Sequence, residues 1–201
     1  MRMKNFFYAF VFSALFCGCG YGGGNVRTAD SVIVENAGIR RTDYFGANGQ
    51  HTLSKSYFYD SLSSKWVLSA LDEFFYTDFG RLEKERLSVL NQFLELRPLQ
   101  LDSFVYDAFG RRTESVHLVS GGSGWTNVSR YVCKYSGSDT SVFSQSFFYW
   151  DIAQKKWIVR EEKYFKYDSL GRVASQMTYS IDIHDTSKVK RNFEEFFYPD
   201  F

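Results

Sequence analysis

The three histidines, His51, His117 and His184, are the natural starting points for acid–base or metal chemistry. Asp182-Ile183-His184-Asp185 brings two carboxylates and an imidazole together. Three ligands fall short of the usual four of a zinc site, and the segment reads as the polar tip of a hairpin. Gly121-Gly122-Ser123-Gly124 has the composition of a phosphate cradle, but no lysine or helix start follows and Trp125 opens a strand, so a hairpin loop is expected. Cys133, in Tyr131-Val132-Cys133-Lys134-Tyr135, has no histidine or basic cluster beside it to favour the thiolate and is expected to be a small buried hydrophobe. No G-x-S-x-G elbow, H-E-x-x-H motif or C-x-x-C pair occurs. No catalytic residue, metal ligand or cofactor site is therefore assigned, and the chain is not read as an enzyme.

The remaining two cysteines belong to the N-terminus. Arg2 and Lys4 precede an apolar stretch, Phe6 to Phe16, broken by Ser13. Its length suits a secretory signal and falls below the roughly 20 apolar residues that span a bilayer. Phe16-Cys17-Gly18-Cys19-Gly20 then resembles the end of a bacterial lipoprotein signal, where a small residue precedes the cysteine that is lipidated after cleavage. Gly18 stands before Cys19 and the bulky Phe16 before Cys17, so Cys19 is the expected lipidation site. The expected organisation is a signal peptide over 1–18, a flexible tether over 19–31 containing Tyr21-Gly22-Gly23-Gly24-Asn25, and a folded body over 32–201. The resemblance implies a lipoprotein of the outer membrane of a Gram-negative bacterium, facing the periplasm or the surface and held to the membrane by its acyl chains.

The elements that must position any site follow from composition and period. In 201 residues, 24 Lys and Arg balance 23 Asp and Glu, a net charge of +1 that gives no reason to expect a nucleic-acid partner. Aromatics make up 19% of the chain, with 21 Phe, 14 Tyr and 4 Trp, which favours pleated strands and argues against disorder. The segment Phe74-Phe75-Tyr76-Thr77-Asp78-Phe79-Gly80-Arg81 recurs as Phe104-Val105-Tyr106-Asp107-Ala108-Phe109-Gly110-Arg111 and as Phe165-Lys166-Tyr167-Asp168-Ser169-Leu170-Gly171-Arg172. A truncated copy ends the chain, and degenerate copies sit at Tyr44 and Tyr135. The marking tyrosines 44, 76, 106, 135, 167 and 198 are 32, 30, 29, 32 and 31 residues apart. Such a period is a repeat array. Asp at the start and Gly three positions later suit a tight reversal in which Gly takes a positive φ.

Each repeat is expected to be one long hairpin, and the body an all-β antiparallel meander of about eleven strands built from hairpin repeats of about 30 residues. Leu82 to Leu96 has helix-forming composition, with Leu87, Leu90 and Leu94 at helical spacing, while the repeat register predicts strand, turn at Asn91-Gln92, strand. Trp66, Trp125 and Trp157 each precede a marking tyrosine by ten residues, an even offset that places them with Tyr76, Tyr106 and Tyr167 on one buried face. Phe58, Phe75, Phe148 and Tyr164 have the opposite parity. They are the candidate exposed aromatics for stacking on a glycan or anchoring a protein ligand.

The Y-D-x-x-G-R core at Tyr106 to Arg111 and Tyr167 to Arg172 resembles the YD repeat of bacterial surface proteins of the RHS and teneurin-type class, and the chain is similar to short repeat lipoproteins of Gram-negative bacteria. The match covers about residues 40 to 201, with the Asp displaced at Tyr76-Thr77-Asp78 and the Arg lacking in the copies at Tyr44 and Tyr135. Five or six repeats are too few to enclose cargo, so the resemblance implies a fold rather than an activity. The expected role is structural or ligand-binding. An outer-membrane β-barrel is the alternative, and an envelope enzyme the more remote one. Against the barrel stand an odd strand count and the charges on both faces of one strand, Glu161 and Lys163 on one and Arg160 and Glu162 on the other.

Overall fold

The computed structural model describes residues 31–36, 38–137, 140–182 and 187–198. Cys19 and the Ile183-His184-Asp185 cluster lie outside them. The described residues form twelve strands: β1 (Ser31–Asn36), β2 (Ile39–Phe45), β3 (His51–Asp60), β4 (Lys65–Tyr76), β5 (Leu82–Leu90), β6 (Leu96–Tyr106), β7 (Arg112–Gly121), β8 (Gly124–Tyr135), β9 (Val142–Asp151), β10 (Lys156–Tyr167), β11 (Val173–Ile181) and β12 (Lys188–Glu195). All lie in one sheet in sequence order, each antiparallel to its neighbours. The expected all-β meander is what the structure shows, with twelve strands against about eleven. The strand-favouring register also prevails over helix propensity at Leu82–Leu96. Asn91 N–H donates to the Glu95 carbonyl at 2.9 Å to close a turn, and Leu90 faces Leu96 across it.

The YD turns repeat one geometry. At Asp107 the backbone N–H donates to the Arg111 carbonyl at 3.0 Å, and Gly110 N–H donates to the Asp107 carbonyl at 2.9 Å. The Asp107 side chain accepts from the N–H groups of Phe109 (3.0 Å) and Arg111 (2.9 Å) and from Arg111 Nε at 2.7 Å. Asp168 repeats all three contacts within its own turn. Thr77 takes the aspartate's place in its copy, its hydroxyl accepting from Arg81 N–H at 3.2 Å. Gly80, Gly110 and Gly171 hold φ of 75°, 82° and 75°, the region where a Cβ is strained. The first copy is shifted by one residue relative to the sequence reading. Gly46 N–H donates to the Gln50 carbonyl, so Phe45, not Tyr44, occupies the marking position.

Each repeat also carries two bulges. One follows the YD turn, where Thr52, Glu83, Thr113, Phe143 and Ala174 are extra on the odd strands. The other lies in the even strands, at Ser69, Leu99, Val128, Arg160 and Arg191. Bulges bend a strand and increase its twist. They also break strict alternation, and this overturns the expected Trp–Tyr face. Trp66 faces Tyr59 across the pair, while Ala70, beyond the Ser69 bulge, faces Ser56. Tyr59 and Ser56 are an odd number apart, and Ala70 and Tyr76 an even number, so Trp66 and Tyr76 point to opposite sides. Val128 and Arg160 invert Trp125 and Trp157 in the same way. The sheet thus has a tyrosine face, with Phe45, Tyr76, Tyr106, Tyr135 and Tyr167, and a tryptophan face, with Trp66, Trp125, Trp150 and Trp157.

No second layer covers either face among the described residues, since strands contact essentially those beside them in the sheet. Among the described residues two hydrophobic side chains are buried, Phe104 and Ile181. Tyr76, Tyr106 and Tyr167, expected to be largely buried, are half-buried, as is Cys133, and Tyr198 is exposed. Among the described residues the strand order ends at β1 and β12, which are open edges rather than the closed seam that a barrel requires. The count of twelve is even, so strand number is no argument against a barrel, whereas the open edges are.

Candidate functional site

Two side-chain ladders along the YD rim replace a core. The hydroxyls of Tyr76, Tyr106, Tyr135, Tyr167 and Tyr198 donate to the carbonyls of His51 (2.7 Å), Leu82 (2.8 Å), Arg112 (2.8 Å), Val142 (3.0 Å) and Val173 (3.1 Å). Each of these carbonyls belongs to the residue that opens the preceding odd strand, so every repeat is tied to the one before it. Above them runs a row of turn residues. Gln50 Nε2 donates to the Gly80 carbonyl at 2.7 Å, and Arg111 Nη1 donates to the Gly137 carbonyl at 2.7 Å. The guanidiniums of Arg81, Arg111 and Arg172 lie 5.8, 4.5 and 4.3 Å from the ring centres of Tyr106, Tyr135 and Tyr198 in the following repeat. The aspartate, arginine and tyrosine of the motif therefore serve turn closure and repeat stacking.

The four aromatics singled out from parity do not form one row. Phe75, Phe148 and Tyr164 are on the tryptophan face and Phe58 is on the tyrosine face, because the Ser69 bulge divides the alternation between β3 and β4. Three of them are partly capped by cations. Arg86 lies 5.6 Å from the Phe75 ring and donates to Glu73. Arg130 lies 5.6 Å from Phe148 and bonds Glu114 through two nitrogens. Lys188 lies 5.8 Å from Tyr164 and pairs with Glu162.

The tyrosine face carries the groups that parity did not single out. From β7 to β12 three depressions join into one trough. Arg112, Ser115, Tyr131, Cys133 and Gln145 line its first part. Tyr131 and Gln145 are shared with the second, which adds Phe147, Glu161 and Lys163. Phe147 and Glu161 continue into the third, a hollow of about 490 Å³ that ends at Ser180, Val189 and Arg191. The rings of Tyr131 and Phe147 lie 4.8 Å apart at an interplanar angle of 37°, and Tyr131 is 42% exposed. Six strands at about 4.8 Å spacing give the trough a length of roughly 24 Å. Planar rings flanked by amide, hydroxyl and charged groups can stack on and hydrogen-bond to an extended ligand. The sequence places Tyr131 in register with Tyr135, on what reads as the core face. Only the absence of a covering layer among the described residues exposes it.

Toward β2 the same face becomes a row of titratable groups. Ser54, 1% exposed, accepts from Arg41 Nη2 at 2.9 Å, lies 2.8 Å from His51 Nε2 and donates to Asp43. A serine, histidine and aspartate have met, but not as a nucleophile and its base. Asp43 approaches the same imidazole nitrogen as Ser54, at 3.3 Å, instead of orienting the ring from Nδ1, and it accepts the serine's hydrogen bond itself. Burial alone would raise the Asp43 pKa, yet the hydrogen bonds from Ser54 and Arg41 hold it below the ordinary value. Asp72 and Glu85, farther along, are shifted upward by burial, Glu85 also by repulsion from Asp72 and Asp102. Asp102 pairs with His117 Nδ1 at 2.8 Å. Among the described residues, no three His, Cys, Asp or Glu side chains converge as metal ligands do. Gly121 and Gly124 face one another across a tight hairpin turn, as expected for that loop.

No protein-family model and no curated protein matches the chain. Solved structures do. A protein of unknown function from Bacteroides fragilis superposes with a TM-score of 0.54 at 14% identity, covering 63% of this chain and 91% of its own. A DUF3836 family protein from Bacteroides vulgatus covers 45% of this chain and 90% of its own, with 17% identity and a TM-score of 0.39. The similarity to the Bacteroides fragilis protein extends to the fold.

Proposed function

We propose that the chain is a lipoprotein of the Gram-negative outer membrane, acylated on Cys19, that holds an extended glycan in the trough of its repeat sheet. The trough is the observation that carries this reading. It offers the exposed ring of Tyr131 and the half-buried ring of Phe147 among Gln145, Lys163, Glu161 and Arg191, without the convergent nucleophile and base that catalysis would need. The repeated turn, with its Asp, Gly and Arg in fixed roles, supports a kinship with YD-repeat surface proteins.

Glycan-array screening of the chain lacking its signal, followed by titration of any hit, tests the proposal. Tyr131→Ala and Phe147→Ala should each weaken binding at least about fivefold, equivalent to roughly 1 kcal/mol, with an unchanged circular dichroism spectrum. Phe58→Ala, outside the trough, should bind as the wild type does. Absence of glycan binding, or binding indifferent to both trough substitutions, overturns the reading.

A further inference from the structure

The two edges of the sheet are built differently. β12 carries Lys188, Lys190 and Arg191, and Arg191 is itself a bulge. Cations and bulges are the devices by which an edge strand discourages pairing with another chain. β1 has neither. Its sequence is Ser-Val-Ile-Val-Glu-Asn, its pairing with β2 is unbroken by any bulge, and Val32, Ile33 and Val34 are 44%, 63% and 57% exposed. Glu35, its one charged residue, is paired with its cross-strand neighbour Arg40 on β2 at 2.9 Å. Among the described residues nothing lies beyond it.

We infer that the β1 edge is a self-association surface, where a second copy of this chain adds its own β1 antiparallel and joins two twelve-stranded sheets into one. The strand is complementary to itself. In the register that sets Ile33 opposite the partner's Ile33, Val32 faces the partner's Val34 and Ser31 faces the partner's Glu35. Every apolar residue meets an apolar one, no like charges oppose each other, and each residue meets one of the same face, so both faces continue across the seam. Head-to-tail pairing of β1 on β12 would instead set three cations and a bulge against an apolar strand. A five-residue pairing is small beside the roughly 800 Å² that a stable interface buries on each partner, so association depends on concentration.

Ile33→Cys in the full-length chain tests the register directly. Residues opposed in an antiparallel pair have Cα atoms about 4.5–5.5 Å apart, within disulfide range. Mild oxidation should give a covalent dimer on a non-reducing gel, well above the background from the native cysteines. Val189→Cys, on β12, should stay at that background. In sedimentation velocity of the detergent-solubilised chain, Ile33→Lys should abolish the concentration-dependent dimer while preserving the strand signal in circular dichroism. Absence of the Ile33→Cys cross-link would mean that the edge stays open or is covered by the chain's own residues before Ser31, and would overturn the inference. Equal cross-linking at Val189→Cys, or a dimer that survives Ile33→Lys, would do the same.

Discussion

Removing one rung of the tyrosine ladder isolates what the marking tyrosine does beyond filling space. Tyr106→Phe keeps the ring beneath Arg81 and deletes the hydroxyl that donates to the Leu82 carbonyl at 2.8 Å. A net intramolecular hydrogen bond is worth about 0.5–1.5 kcal/mol, and a carbonyl stranded away from water costs about 1–3 kcal/mol. Leu82 and Tyr106 are both half-buried, so water can partly replace the lost donor and the expected loss is near 1 kcal/mol. Tyr167→Phe removes the equivalent rung to Val142 and should cost the same. The two sites are four strands apart, roughly 19 Å. Coupling at that distance is negligible, and the double variant should lose about 2 kcal/mol. Equilibrium urea unfolding followed by circular dichroism measures all three. Tyr44→Phe, on the tryptophan face and outside the ladder, should change stability by less than about 0.5 kcal/mol. If Tyr106→Phe costs no more than Tyr44→Phe, or the double variant departs from the sum by more than about 0.5 kcal/mol, the ladder does not tie the repeats together.

Gly110→Ala should destabilise by about 1–2 kcal/mol, since it demands a φ of 82° from an L-residue and puts a Cβ against the Arg81 guanidinium. Gly122→Ala, with open space around it, should be neutral within about 0.5 kcal/mol in the same urea assay. Trp157→Ala should cost about 1–2 kcal/mol and not the 3–5 of a fully packed ring, because Trp157 is half-buried against Trp150 on an uncovered face; thermal unfolding distinguishes the two. Asp72→Asn should stabilise at neutral pH. Its folded pKa is raised, so the ionised form is penalised there, and the gain should vanish below the ordinary carboxylate range, where both states are protonated; urea unfolding across pH reads the sign. Cys19→Ser should move the chain from the membrane to the soluble fraction, and a variant that still pellets with membranes would refute the anchor.

Strand identity and turn position were legible because the repeat states them several times. One Asp-x-x-Gly-Arg could be chance, but copies about 30 residues apart fix the hairpin period, and that period was strong enough to override the helical composition of Leu82 to Leu96. Facing was not legible. A bulge adds a residue without a residue type that announces it: Ser69, Leu99, Val128, Arg160 and Arg191 share no chemistry. Parity counted from tryptophan to tyrosine therefore fails at each repeat, although the spacing of ten is exact. The trough was missed for a second reason. Alternation says which residues share a face, not whether another layer covers that face, and Tyr131 and Phe147 on a covered face would simply have been core.

An open sheet with two buried hydrophobic residues must draw its stability from contacts between neighbouring strands, and the structure shows where they are. Backbone pairing supplies the common part. The tyrosine hydroxyls, the arginine guanidiniums against tyrosine rings and the Glu73–Arg86 and Glu114–Arg130 pairs supply a part that recurs with the repeat. In such an array each unit is held from both sides except at the ends, and terminal units need a polar cap to remain soluble. β12, with its cations and bulge, has that character; β1 does not. A second copy paired through β1 would give each first strand the neighbour that every interior strand already has. The pairing would bury the Val32, Ile33 and Val34 edge and leave the guarded β12 edges outermost, so that association stops at two chains instead of running on as a fibre. The asymmetry between the edges thus predicts a closed dimer, and a ladder of higher oligomers on the Ile33→Cys gel would contradict it.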